Sequence, residues 1–223
     1  MNTDRNKGII IGVLLLISFI LGVVIYQVLQ GPVLFSKDFL TITSDNSNEI
    51  ITSTILGLAN GTITIIIAVL LLPIFKKFNY SLAFLYLSFA VINFAMIAID
   101  NVSALSILEL SKEYSMSGEN NTEYYKTIGQ LFYKKHWWTH YMSLLNSGFS
   151  LFLLYYLFYR SKAIPGILSA SGMIAVLLML IEIMSSIFGH SINMLLMLPL
   201  GIVQISLAIW LLIKGLKIFD DLK

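Results

Sequence analysis

The chain has 223 residues, 57% of them hydrophobic and only 12% charged, with a mean hydropathy of +0.85. Soluble domains carry roughly 25% charged residues, so a soluble globular fold is excluded, and disorder with it, because disorder needs low hydrophobicity and high charge. A net charge of +2 leaves no basic footprint for nucleic acid, and zero cysteines exclude disulfides, thiolate nucleophiles and Fe–S clusters.

An all-α, polytopic membrane protein is the expected fold class. A helix needs about 20 mostly apolar residues to cross a hydrocarbon layer of roughly 30 Å, and six segments qualify. The first is 8–29. Arg5 and Lys7 ahead of it also suit a signal peptide, but the run exceeds a signal core and ends without a small-x-small site, so a retained helix is expected. Span two is 51–75 and span three 80–99 with room for an extension, the two joined by Lys76-Lys77-Phe78-Asn79. Span four is 137–159, span five 164–188 and span six 192–213, making a single membrane domain over 1–223. Polar segments at 31–49 and 111–135 separate spans one from two and three from four. Within the latter, Tyr124, Tyr125, Ile128, Leu131 and Phe132 have helical spacing, which suits a helix lying along the membrane surface.

Lys and Arg in the flanks set direction. With the N-terminus in the cytoplasm, the inner side holds Arg5, Lys7, Lys76, Lys77, Arg160, Lys162, Lys214, Lys217 and Lys223. The outer side holds Lys37, Lys112, Lys126, Lys134 and Lys135, so the bias of nine to five puts both termini inside. Trp137, Trp138 and Tyr141 then mark the outer start of span four, and Tyr155, Tyr156 and Tyr159 its inner end.

Polar groups at bilayer depth are expensive unless paired or hydrated. Asn60, Asn93, Asn146 and Gln204 fall near mid-span. They suit either hydrogen bonding between helices, worth about 0.6 to 2 kcal/mol each, or a polar pocket binding a small molecule or lipid. Asp100 stands 20 residues beyond Tyr80, and Glu182 stands 20 beyond Lys162. At 1.5 Å per residue both reach the outer hydrocarbon boundary, about 30 Å away. His136 and His140 start span four at that level, and His190 lies in the turn after span five.

His136-x-x-x-His140 presents two imidazoles on one helix face, a spacing that suits zinc, with His190 as a third nitrogen ligand. Glu182 or Asp100 would then act as general base or as a supporting carboxylate, giving a metal-dependent hydrolase of the outer leaflet. Ser186 lies one turn before His190. The bland reading is that interfacial His, Trp and Lys anchor headgroups and that boundary acids are hydrated. No Walker loop, dinucleotide glycine motif or Gly-x-Ser-x-Gly elbow is present. The leading expectation is therefore a non-enzymatic membrane protein with an outward-facing polar cavity. An assembly or immunity partner acting through the long outer segments is the further alternative.

Several stretches resemble a bacterial membrane family known as domain of unknown function 4386. They are Gly31-Pro32, Leu72-Pro73-Ile74-Phe75-Lys76-Lys77-Phe78-Asn79, Leu110-Ser111-Lys112-Glu113-Tyr114, Leu154 to Lys162 with Ile164-Pro165, Leu198-Pro199, and Leu207 to Gly215. The resemblance implies a six-helix protein of the bacterial inner membrane with no established activity, and supplies no catalytic residues. Members it resembles carry acids where Asn93 and Gln204 stand here. Any acidic-pair chemistry of the family is therefore expected to run differently in this chain or not at all.

Overall fold

The structure, a computed structural model, describes residues 3–117, 122–190 and 194–217. Helix α1 (Thr3–Val23) continues through a π-helical segment, Val24–Gln30, into α2 (Gly31–Leu34). Then come α3 (Phe39–Asp45), α4 (Ser47–Phe75), α5 (Tyr80–Ser117), α6 (Thr122–Ser161), α7 (Gly166–Ile187) and α8 (Leu198–Lys214). Among the described residues, five helices are long and apolar enough to cross a membrane: Arg5–Leu34, α4, α5, α6 and α7. Helix α8 is apolar but shorter, at 17 residues. Residues 192 and 193 of the sixth expected span, 118–121 of the second polar segment, and Lys223 lie outside the described residues.

Expected spans one to four fall inside observed helices. Span five, 164–188, slightly overshoots Gly166–Ile187 at both ends, and the described residues 194–197 of span six precede α8. Helices α5 and α6 run far beyond their spans. At 38 and 40 residues and 1.5 Å per residue they are about 57 and 60 Å long, roughly twice the hydrocarbon thickness. Residues 124–132 are thus not a separate surface helix but the opening turns of α6. Nothing in the sequence interrupts either helix. Tyr80–Ser117 contains no Gly or Pro, and Ser103, Ser106 and Ser115 return their hydroxyls to carbonyls four residues back. The ends have local causes. Asn79 caps α5 by accepting the Leu82 N–H at 2.9 Å, Pro165 precedes α7, and Pro199 occupies the first turn of α8.

Ile174 and Ile181 on α7 and Ile202 on α8 are each more than 60% exposed. In water such helix faces would drive aggregation; toward lipid tails they are the expected surface.

The chain forms two compact units, to which α4, α5 and α6 each contribute at both ends. One comprises the described parts of Met1–Phe19, Thr62–Asn93 and Leu144–Lys223. Its interior is aromatic: Phe75 meets Tyr86 and Phe158 edge-on, with ring centres 5.9 and 5.2 Å apart. Helices α6 and α7 approach closely because Gly172 faces the Tyr155 ring; a Cβ there would lie 2.2–2.4 Å from three ring carbons. Asn146 donates to the Phe89 carbonyl at 3.2 Å and Ser147 to Asn93 Oδ1 at 2.7 Å, joining α5 to α6.

The other unit is Ile20–Gly61 with Phe94–Ser143. It holds the parts of α5 and α6 that overrun their spans, and its core consists of Val33, Leu34, Ile50, Ala104, Ile107 and Leu108. Ser111 Oγ donates to the Leu40 carbonyl at 2.6 Å and accepts the Ser44 N–H at 2.8 Å, fixing α3 against α5.

Candidate functional site

Within this second unit α5 and α6 bring three of the candidate residues together. His136, Thr139 and His140 share one face of α6, as the i, i+3, i+4 spacing dictates, and that face meets Asp100 of α5. His136 Nδ1 lies 2.9 Å from Asp100 Oδ1, and His140 Nδ1 lies 3.4 Å from Oδ2. Thr139 Oγ1 donates to Asp100 Oδ1 at 2.7 Å. Depth along the two helices agrees with the contact: Asp100 is 20 residues from Tyr80 on α5, and His140 is 20 from Arg160 on α6.

The site is nearly sealed. Asp100 is 3% exposed and His136 1%. Isolated, such a carboxylate would face a desolvation penalty of several kcal/mol, which the two imidazoles and the hydroxyl offset. The offset is incomplete on the histidine side. Neither Nδ1 is aligned for a hydrogen bond to the carboxylate, and His136 Nε2 is buried with no hydrogen-bond partner among the described residues.

Aromatic rings wall the cluster. Phe35 stacks on His136 with ring centres 5.8 Å apart and meets His140 edge-on at 6.0 Å. Tyr26 leans on His140 at 4.9 Å. Tyr26 is presented by the π-helical segment, whose wide turn closes with the Gly31 N–H on the Tyr26 carbonyl. A Cβ on residue 31 would sit 2.3 Å from that oxygen, so the turn requires glycine. Single π turns inside helices are frequent at functional sites. The same segment carries Gln30, whose buried amide donates to Ser53 Oγ at 3.0 Å. Asn101, next to Asp100, donates to the Thr54 carbonyl at 2.9 Å. Both bonds lock the frame of the site to α4.

The remaining candidates lie elsewhere. Glu182 is buried on α7 in the first unit, with Ser186 Oγ donating to it at 3.5 Å. His190, in the turn after α7, is exposed. Asn93 and Asn146 are engaged between α5 and α6 as described; Asn60 on α4 and Gln204 on α8 are half-buried. Among the described residues no group of three or more His, Asp or Glu side chains is placed to hold a metal ion. Sequence reasoning did not find Tyr26, Phe35 and Thr139. Thr139 carried a usable signal, being on the His136–His140 face; the two rings come from the π-helical segment and the residue that follows α2, more than 100 residues away, and local pattern cannot reveal that.

No curated protein and no solved structure matches the chain. Residues 10–215 match the family described as Domain of unknown function (DUF4386). The all-helical fold and the apolar helices agree with that resemblance, and the match covers nearly the whole chain: this protein is a member of the DUF4386 family.

Proposed function

We propose that the protein is a six-span membrane protein of the bacterial inner membrane, with both termini cytoplasmic, that binds a small molecule or lipid at Asp100, His136 and His140. The excess of Lys and Arg on the short-turn side supports the direction, and α8 supports the sixth span, since its 17 mostly apolar residues reach the lower end of spanning length. One observation carries the binding reading. A carboxylate flanked by two imidazoles is buried, and His136 Nε2, beyond the reach of that carboxylate's pairing with Nδ1, has no hydrogen-bond partner among the described residues. Ionisable groups at membrane depth are rare, usually paired, and recurrently mark substrate or ion paths. An unpaired buried nitrogen is costly to keep unless a ligand meets it. The test is a thermal-shift screen of metabolites and lipids on the full chain in detergent, run beside Asp100→Asn and, as a control, His190→Ala. A compound that raises the melting temperature of wild type and the control, but not of Asp100→Asn, is expected. No stabilising compound, or equal stabilisation of Asp100→Asn, would contradict the reading.

A second reading, a zinc-dependent hydrolase of the outer leaflet, draws on the same carboxylate. Metal-binding imidazoles are commonly backed by a carboxylate on the far nitrogen, and Asp100 stands beside the Nδ1 of both His136 and His140. Elemental analysis of protein purified without chelator decides it. Stoichiometric zinc that disappears in His140→Ala favours the hydrolase; trace zinc unchanged by the substitution removes it.

A further inference from the structure

A second polar feature, in the first unit, is independent of the Asp100 cluster. The α6–α7 turn forms one wall of a pocket of about 420 Å³ lined by Tyr159, Arg160, Lys162, Ile164, Gly166 and Lys217. Three of these six are cations and none is an acid. The chain has been brought here from both sides. After α8, Gly215 adopts φ 70°, Leu216 is buried, and the Lys217 N–H bonds to the Ala163 carbonyl at 3.0 Å. That bond sets the third cation over a turn distant in sequence. Lys162 itself is held at φ 52°, the left-handed region that disfavours residues with a Cβ. Glycine would suit that backbone better, so the lysine is present at a conformational cost.

The pocket is polar on one side and apolar on the other. Arg160, Lys162 and Lys217 are exposed, and the described ion pairs involve none of them. Ile164 is buried at the base, whereas Tyr159 is 49% exposed and Ile167, just beyond, 83%. The turn joins two helices long and apolar enough to span, which puts it at headgroup level with those apolar side chains facing acyl chains. Gly166 opens α7, and the partial positive charge of that helix end has the same sign as the cations.

We propose that this pocket binds the phosphate of an anionic phospholipid, with Arg160, Lys162 and Lys217 on the headgroup and Tyr159 and Ile167 beside its acyl chains. A fork-shaped guanidinium with two ammonium groups suits a phosphate oxygen set, and basic pockets beside membrane helices are a recurrent headgroup site. The bare alternative is that the turn is basic only to orient the chain, as Lys76-Lys77 would be.

Native mass spectrometry of the full chain, titrated with short-chain phosphatidylglycerol or phosphatidylcholine of the same chain length, separates the two. Phosphatidylglycerol is expected to bind at least tenfold more tightly than phosphatidylcholine. Arg160→Gln, Lys162→Gly and Lys217→Gln are each expected to weaken it roughly fivefold, whereas Lys76→Gln/Lys77→Gln leaves it unchanged. Lys162→Gly also relieves the backbone, so it should fold at least as well as wild type, and its lost affinity cannot be misfolding. Equal affinity for the two lipids would overturn the proposal. So would equal weakening by the Lys76/Lys77 pair, or full affinity retained in Lys162→Gly and Lys217→Gln. Displacement of the lipid by millimolar inorganic phosphate would overturn the assignment to a lipid in favour of a free anion.

Discussion

Removing the Asp100 carboxylate is the most informative single perturbation. In Asp100→Ala the Thr139 hydroxyl keeps its second partner, the His136 carbonyl at 3.0 Å, so it is not orphaned. The histidines lose their only described acidic neighbour at ion-pair distance, 2.9 Å from His136 and 3.4 Å from His140. Breaking a buried pair on one side costs about 3–5 kcal/mol. His140 retains 14% side-chain exposure, which lets water relieve part of its share and sets the expectation near the lower figure, about 3 kcal/mol. At about 2–4 °C per kcal/mol for a chain of this size, melting should fall by on the order of 10 °C. Asp100→Asn can still accept the Thr139 hydrogen bond and should lose about half as much. The double variant Asp100→Leu/His136→Leu should recover most of the loss, because exchanging both members of a buried pair for apolar groups is often neutral or stabilising. Thermal melting in detergent, followed by intrinsic tryptophan fluorescence, reads all three. If Asp100→Ala melts with wild type, or the double variant is no better than Asp100→Ala, the three groups are not energetically coupled and the reasoning fails.

Three further outcomes follow from single positions. Tyr155 is fully buried with no described partner for its hydroxyl, so Tyr155→Phe should stabilise the chain by about 1 kcal/mol; a lower melting temperature would mean the hydroxyl is bonded. Gly31→Ala places a Cβ against the Tyr26 carbonyl and should cost about 1–3 kcal/mol, as overpacking does, while weakening any ligand held beside His140. Melting and ligand shifts equal to wild type would show the π turn to be dispensable. Because the chain has no native cysteine, single substitutions report direction cleanly. Lys37→Cys should react with an impermeant maleimide in intact cells and Lys77→Cys only after lysis, and the reverse pattern would invert the proposed orientation.

Much of the fold was legible because lipid imposes a simple rule: long apolar runs must be helices. Expected spans 51–75 and 164–188 meet Ser47–Phe75 and Gly166–Ile187 with few residues to spare. The full overrun of α5 and α6 was not legible: an extension of span three and the helical spacing of 124–132 could be read, but hydropathy does not report how far a helix continues past its apolar stretch. There, Ala104, Ile107 and Leu108 join Val33, Leu34 and Ile50 in a small core, and Lys112 pairs with Glu109 at 2.8 Å on an exposed face of α5. At the site, rise per residue was enough to put Asp100 and His140 at one height, and i, i+4 spacing to pair the histidines. Which face of α5 meets α6 depends on packing across the unit, so spacing alone did not pair Asp100 with the two histidines. In the fold Asp100 stands 2.9 and 3.4 Å from the Nδ1 atoms of His136 and His140. The mid-span amides divide similarly: Asn93 and Asn146 make the interhelical bonds anticipated for helix glue.

The central claim is that His136 Nε2 is kept for something other than protein. An experimental structure of the chain extracted with its native lipids tests this most directly. Non-protein density within about 3 Å of that nitrogen, at hydrogen-bond distance, is the predicted result. A protein side chain filling the same position would contradict it.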